Sequence, residues 1–208
     1  MMFRIALERL KPGLVLIHDS LYWLPILAAY TGARRAELCE LLTCDIRFSE
    51  PHNCYYLDIG PREHRRLKNI QSQRQIPLHQ EVIRLGLLAY VETLCDEAFL
   101  FPDLRRGSGR TSAGDVFNKS WQKIRAASLP NAKAENKVFH SFCHWCNNEM
   151  KQSGVPAEIR KDLLGHTNSG VNEGRYTETA RLILMADAVK RLPTPTASIR
   201  SVPINLDG

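Results

Sequence analysis

The sequence contains five side chains that could bind an anion, move protons and attack an electrophilic centre. They are an arginine, a lysine, two histidines and a tyrosine: Arg34, Lys68, His140, His166 and Tyr176. Guanidinium forks match phosphate geometry, imidazoles exchange protons near neutral pH, and a tyrosine oxygen can form a covalent intermediate. No single one of these residues indicates a site, so the prediction rests on the motifs around them.

Each of the five residues lies in a short motif, and the motifs follow one another in a fixed order. Arg34 stands in TGARRAEL, Lys68 precedes a turn that leads into IPL, His140 opens HSFCH, and LLGH ends at His166, ten residues before Tyr176. In a helix, the three- and four-residue spacings of HSFCH would place His140, Cys143 and His144 on one face.

The HSFCH motif also allows two other interpretations. His140 and His144 could bind zinc together with Cys143 or Cys146, although the glutamate of an HExxH site is absent. Cys143 could also be a nucleophile beside His144, or simply a thiol in the core.

The remaining candidates have ordinary structural explanations as well. Arg34 could pair with Glu37 one helical turn on, and Lys68 could be a solvated hairpin lysine. His166, directly after a glycine, could cap a helix end, and Tyr176 could be a partly buried aromatic residue. The joint order of the motifs favours the functional interpretation over these separate ones.

Length and composition exclude several classes of protein. The 208 residues fit one domain, and 44% hydrophobic and 24% charged residues are typical of a globular chain. No apolar stretch approaches a membrane span, and the N-terminus has charges inside its apolar run, unlike a signal peptide. The six scattered cysteines therefore predict reduced thiols in a cytoplasmic protein.

The positive charge is concentrated in two runs. The segment 62–74 carries a net charge of +4, and the loop 105–110 adds three arginines without an acid. A single charge run is usually a solvated face, but two uncompensated runs favour contact with a nucleic-acid backbone. The DNA-binding candidates are the arginines of these runs: Arg62, Arg65, Arg66, Arg74, Arg105, Arg106 and Arg110.

The elements that must position these residues are mostly helical. Apolar spacing and glycine stops predict helices over 20–30, 34–42, 79–95, 113–127, 138–154, 156–164 and 177–192. Segments 44–48 and 54–59 predict a hairpin, with a third strand at 72–78. We therefore expect a mainly α domain with a small antiparallel sheet (α+β) over 20–192, a lead-in over 1–19 and a flexible, proline-rich tail over 193–208.

The order of the motifs resembles the catalytic domain of the tyrosine recombinases, the phage integrase family. Arg34 stands at the arginine of the family's TGxRxxEL motif, and Lys68 stands at its hairpin lysine. His140 is the first histidine of the HxxRH motif. His166 is the histidine of the LLGH motif, and Tyr176 is the tyrosine that follows it. The resemblance implies that the tyrosine attacks a DNA phosphate and forms a 3′-phosphotyrosyl link, without a metal or other cofactor. It also implies that Lys68 protonates the leaving 5′ oxygen, that His140 assists the tyrosine, and that His166 bonds the phosphate.

One position departs from the family pattern, since Cys143 stands where the family has its second arginine. A neutral thiol has one weak donor and no charge, so we expect an impaired enzyme. A non-catalytic DNA-binding remnant of an integrase is the alternative. Both predict double-stranded DNA as the partner and a nucleoid-associated protein of bacterial or phage origin.

Two expectations about assembly also come from the resemblance. Family members usually carry an N-terminal domain that grips the far side of the duplex, whereas 19 residues precede Ser20. We therefore expect modest DNA affinity. The tail of relatives often docks on a neighbouring protomer, so we expect a monomer in solution and a homo-oligomer on DNA through residues 193–208.

Overall fold

The computed structural model describes residues 18–65, 72–105, 111–128, 131, 137–166 and 178–201, and these ranges are mostly helical with one small sheet. The helices are α1 (Ser20–Thr31), α2 (Arg35–Cys39), α3 (Gln80–Arg84), α4 (Leu87–Glu92), α5 (Ala113–Ser128), α6 (Ser141–Gln152), α7 (Ala157–Leu164) and α8 (Glu178–Lys190). The strands are β1 (Ile46–Ser49), β2 (Cys54–Ile59) and β3 (Arg74–Pro77), paired antiparallel in that order. The predicted fold class is confirmed.

Helix α1 is the centre of the fold, because every one of its residues except Leu21 is buried. The apolar run that predicts it has no polar face, as expected of a helix surrounded by protein. Asp19 caps its first turn by accepting from the Tyr22 amide at 2.9 Å. Helices α2, α3, α5 and α6 pack around it.

Helix α1 ends at Gly32, whose φ of +64° is left-handed and whose amide donates to the Ala28 carbonyl. The space beside the glycine has no room for a side chain, because Cys146 of α6 and Leu164 of α7 fill it. Gly32 therefore fixes where the chain leaves the core, two residues before Arg34.

The predicted hairpin is confirmed with a definite register. Ile46 pairs with Leu57 and Ser49 with Cys54, and Leu57 pairs in turn with Ile76 of β3. The inward side chains of Leu57, Ile59 and Ile76 are fully buried. Strand β3 also packs against α7 and α8, so the sheet is joined to the C-terminal half of the domain.

The single helix predicted over 79–95 is wrong, since the structure has two helices, α3 and α4, with Gly86 between them at a φ of +95°. Leu87, the first residue of α4, is buried, whereas Leu88 is half-buried. The apolar stripe alone could not show this, because its spacing fits a continuous helix.

The segment 193–201 has no helix or strand, in keeping with its composition, but it packs on its own chain. Thr196 is fully buried and shares a hydrogen bond of 2.6 Å with the Tyr30 hydroxyl. Arg84 donates to the carbonyls of Thr196 and Ile199 at 3.2 and 3.0 Å. Residues 202–208 lie outside the described ranges.

Substitution of Gly32 tests the turn that delivers Arg34. A Cβ at Gly32 would overlap Cδ2 of the buried Leu164, and the left-handed backbone is strained for any side chain. We expect Gly32→Ala to lower the free energy of unfolding by about 2–4 kcal/mol in urea denaturation.

Gly154 is the matched control, because its φ is +75° and nothing lies within 4 Å of its added Cβ. Gly154→Ala carries the backbone strain alone, about 1–2 kcal/mol. Equal losses in the two variants would contradict the proposed steric role of Gly32.

Candidate active site

The Arg34 motif folds into the beginning of helix α2, and its spacing has a structural cause. Arg34 precedes the first helical residue, and its amide donates to Oε2 of Glu37 at 2.9 Å. A carboxylate three residues into a helix satisfies a backbone donor that would otherwise have no partner. Glu37 thus fixes the backbone of Arg34 before any side-chain contact is counted.

The Arg34 guanidinium is held by three different parts of the chain. Nη1 donates to Oε1 of Glu37 and to Oγ of Ser72, both at 2.9 Å, and Nη2 donates to the Gly165 carbonyl at 3.0 Å. The side chain remains 26% exposed. Arg34 is therefore an oriented cation with part of its surface open to a ligand.

His166 is placed beside Arg34 by the end of helix α7. Gly165 terminates the helix with a φ of +63°, and the His166 amide returns to the Lys161 carbonyl at 3.0 Å. Because Arg34 binds the carbonyl of Gly165, the residue immediately before His166, the exposed imidazole lies next to the guanidinium.

The HSFCH motif divides between surface and core. His140 precedes helix α6, and its ring lies 4.7 Å from that of His144, with both residues exposed. Cys143 is 3% exposed and faces the core. Of the three residues, His140 and His144 therefore reach solvent and Cys143 does not.

The electrostatics of the site reflect the proximity of these groups. Partial desolvation is the largest cause that lowers the pKa of His140, with smaller contributions from His144 and Arg34. Partial desolvation also lowers the pKa of His166, followed by the charges of Arg34 and Arg74. The Arg34 guanidinium is thus close enough to both His140 and His166 to disfavour their protonation.

Burial raises the pKa of the Cys143 thiol, and the charges of Arg34 and Arg74 oppose this only in part. The side chain is therefore a neutral thiol at neutral pH, neither a cation nor a thiolate. Within the described ranges, no three His, Cys, Asp or Glu side chains are grouped to hold a metal ion. None of the helices in those ranges has the length and apolar character needed to span a bilayer.

Two of the predicted DNA-contacting arginines are buried, which contradicts that prediction for them. Arg65 is 2% exposed and forms an ion pair with the fully buried Asp45, while Arg74 is 8% exposed and pairs with Glu37. A guanidinium enclosed by protein and bound to a carboxylate has no surface to offer a phosphate backbone. Their role is within the fold.

Two other arginines of the basic runs keep about a third of their side chains exposed. Arg62 pairs with Asp45, and Arg105 pairs with Glu40 while lying 3.6 Å above the centre of the Phe99 ring. The remaining predicted site residues lie outside the described ranges: Lys68, Tyr176, Arg66, Arg106 and Arg110.

The sequence interpretation missed the contribution of Ser72 and Arg74 to the site. Ser72 lies two residues before β3 and accepts a hydrogen bond from Arg34, while Arg74 begins β3 and binds Glu37, a partner of Arg34. The motif IPL two residues after Arg74 was the available signal that this strand returns to the site. Glu37 was recognised only as a possible surface partner of Arg34.

Comparisons with known proteins give a family, a relative and a similar fold. Residues 18–181 match the phage integrase family. A tyrosine recombinase of Thermosipho africanus (strain TCF52B) is 27% identical over 139 residues, which are 67% of this chain and 43% of that protein. The integrase from mycobacterium phage Brujita has a similar fold, with a TM-score of 0.54 and 16% identity over 97% of this chain and 59% of that one. The chain thus spans less than half the length of the relative.

Histidine titration tests the geometry around Arg34. We expect the imidazole resonances of His140 and His166 to titrate in NMR spectra with midpoints below 6.5. Arg34→Gln should raise both midpoints, because a nearby positive charge disfavours protonation. Since the folded state binds these protons less readily than the unfolded chain, both groups destabilise the fold as the pH falls below 6.5.

His79 is the internal control for this titration. Its pKa is lowered mainly by burial, and Arg34 is not among the causes. Its midpoint should therefore stay the same in Arg34→Gln. Unchanged midpoints at His140 and His166 in that variant would show that the guanidinium does not act on them.

Proposed function

The chain belongs to the phage integrase family, and from this membership we propose that its site is the catalytic centre of a tyrosine recombinase acting on double-stranded DNA. The observation that carries the proposal is Arg34, which is fixed by Glu37, Ser72 and Gly165 yet is partly exposed beside His140 and His166. This arrangement suits a phosphodiester, whose non-bridging oxygens match a guanidinium fork.

The proposed reaction is a transfer of the phosphodiester from one oxygen to another. The Tyr176 oxygen forms a bond to phosphorus while the bond to the 5′ oxygen breaks, and the product is a 3′-phosphotyrosyl link. His140 receives the phenol proton, and Lys68 protonates the departing 5′ oxygen. A 5′ hydroxyl on a new strand reverses the step and releases the tyrosine, so the bond energy is conserved without a nucleotide cofactor.

Arg34 and His166 serve the charge that develops on the phosphate. As the fifth oxygen arrives, the non-bridging oxygens gain negative charge, and oriented donors stabilise this state more than the ground state. Arg34 offers a full charge, whereas His166 offers a hydrogen bond. The lowered pKa of His166 keeps it neutral at neutral pH, in the form that has one donor nitrogen.

The Cys143 thiol weakens this stabilisation. Where relatives have a second arginine, this chain has a buried neutral group without a charge. Loss of one preorganised donor costs on the order of 10²–10³ in rate, and loss of a charge costs at least as much. We propose that cleavage is slowed by this factor or more.

The neutral thiol at position 143 also favours a second candidate, a DNA-binding remnant that no longer cleaves. Both candidates use the same cytoplasmic, nucleoid-associated DNA as partner, and both allow association of copies on DNA through the C-terminal tail. They differ only in the formation of a covalent bond to Tyr176.

A nicked suicide duplex, which traps the covalent intermediate, distinguishes these candidates. We expect the wild-type protein to form little adduct and Cys143→Arg to form at least about 10²-fold more, because the charge on the phosphate is then balanced. Tyr176→Phe in the Cys143→Arg background should abolish the adduct. The measurement is the shifted protein–DNA band on a denaturing gel.

Cys143→Met controls for the larger side chain in a buried position, since it adds volume without charge. Adduct gained equally by Cys143→Met would contradict the electrostatic explanation. Strong adduct formation by the wild-type protein would contradict the impairment itself.

Salt dependence tests the DNA-binding part of the proposal independently of cleavage. We expect the affinity for a fluorescent duplex to fall linearly with salt on a double-logarithmic plot, with a slope of about −0.9 for each neutralised phosphate. Tyr176→Phe should bind with the same slope, because a phenol oxygen carries no charge at neutral pH. Salt-independent binding in fluorescence anisotropy would contradict a phosphate-backbone partner.

A further inference from the structure

Arg74 forms the innermost layer of the candidate site. Its Nε donates to the Leu163 carbonyl at 2.8 Å, its Nη1 to the Ser72 carbonyl at 2.7 Å, and its Nη2 to Oε2 of Glu37 at 2.9 Å. The side chain is 5% exposed. One guanidinium thus joins β3 to α2 and to the end of α7.

Arg74 and Arg34 share two partners, Glu37 and Ser72. Glu37 receives Arg34 on Oε1 and Arg74 on Oε2, and Ser72 receives Arg34 on its hydroxyl and Arg74 on its carbonyl. Glu37 also accepts from the Arg34 amide. Glu37 in α2 and Ser72 just before β3, which both orient Arg34, are therefore also held by Arg74.

The charge balance of this cluster gives Arg74 a specific role. Burial by itself would raise the pKa of Glu37, but Arg74 and Arg34 together hold that pKa below its ordinary value. The carboxylate is therefore ionised, and two arginines around it leave a net charge of +1. Without Arg74 the cluster would be neutral, and Arg34 would be matched by a full negative charge.

We propose that Arg74 is a positioning residue that occupies one oxygen of Glu37, so that Arg34 keeps a net positive charge for the anion bound at the site. The inference rests on the proposed function in one respect, namely that the anion is a phosphate group. It assigns to Arg74 an indirect role, because the buried guanidinium cannot touch the substrate.

The substitution at position 143 makes this role more important. Among the described residues, the arginines whose charges act on both Cys143 and His166 are Arg34 and Arg74. The buried Arg74 therefore contributes positive charge to the site, whereas position 143 has a neutral thiol in place of the arginine of the family pattern. It does so without exposing a second cation to solvent.

Gly165 shows how closely the cluster is packed around Arg74. A Cβ at Gly165 would lie 2.8 Å from Nη1 and 3.0 Å from Cζ of Arg74. The glycine is required both by its φ of +63° and by the space that the guanidinium occupies. The glycine of the LLGH motif, one residue before His166, thus leaves room for the Arg74 guanidinium.

Two substitutions of Arg74, one that removes its charge and one that keeps it, test the proposal. Inorganic phosphate is titrated into the full chain while the NMR resonances of His140 and His166 are followed. We expect Arg74→Gln to weaken phosphate binding about ten-fold, because the cluster becomes neutral. Arg74→Lys, which keeps the charge, should bind phosphate within about three-fold of wild type, since the net charge of the cluster stays +1.

Arg74→Lys separates positioning by charge from a purely structural role, because lysine keeps the charge but not the planar fork of the guanidinium. If the role of Arg74 were purely structural, Arg74→Lys would weaken phosphate binding as much as Arg74→Gln. Equal weakening by the two variants would therefore overturn the proposal, as would wild-type affinity in Arg74→Gln. Arg34→Gln is the reference for a site without its cation.

The His166 midpoint keeps the test independent of phosphate binding and of cleavage. Arg74→Gln should raise it, because one of the two arginine charges is removed. If the wild-type chain bound no phosphate, the proposed function would fail, while an unchanged midpoint would overturn the inference separately. Should Arg74→Gln fail to fold by circular dichroism, Arg74→Lys, which keeps the charge, must retain the wild-type midpoint, and a raised one would overturn the proposal.

Discussion

The candidate site depends on one interaction, the pairing of the buried Glu37 carboxylate with Arg34 and Arg74. Glu37 is 6% exposed, and ionisation at such a position requires compensating charges and hydrogen bonds. Arg34 and Arg74 provide them from two different elements, and the end of α7 is drawn in through the carbonyls of Leu163 and Gly165. The need to satisfy one acid therefore brings α2, β3 and α7 to a common point.

The same constraint explains how the site can retain its architecture without a second arginine at position 143. The Cys143 thiol packs into the core, and the hydrogen bonds that hold Glu37 and Arg34 come from other residues. The support of Arg34 is therefore independent of the side chain at position 143.

How much could be predicted from the sequence depends on the range of the interactions involved. The end of α1 at Gly32, the hairpin and the helix that ends at Gly165 follow from local turn chemistry, and the sequence predicted them. The break at Gly86 was missed, because a glycine inside an apolar stripe fits either a helix or a turn. The burial of Arg65 and Arg74 was missed for another reason. Their partners, Asp45 and Glu37, are 20 and 37 positions away, so the local sequence around these arginines does not show the carboxylates that pair with them.

The docked segment 193–201 has a consequence for how copies of the chain could meet. Thr196 is already satisfied by Tyr30 and Glu81 of its own chain, and Arg84 binds the backbone around it. Any exchange of this segment between copies must first give up these intramolecular bonds, which benefit from a high effective concentration. Exchange of the segment would therefore require a local concentration of copies high enough to compete with these intramolecular bonds.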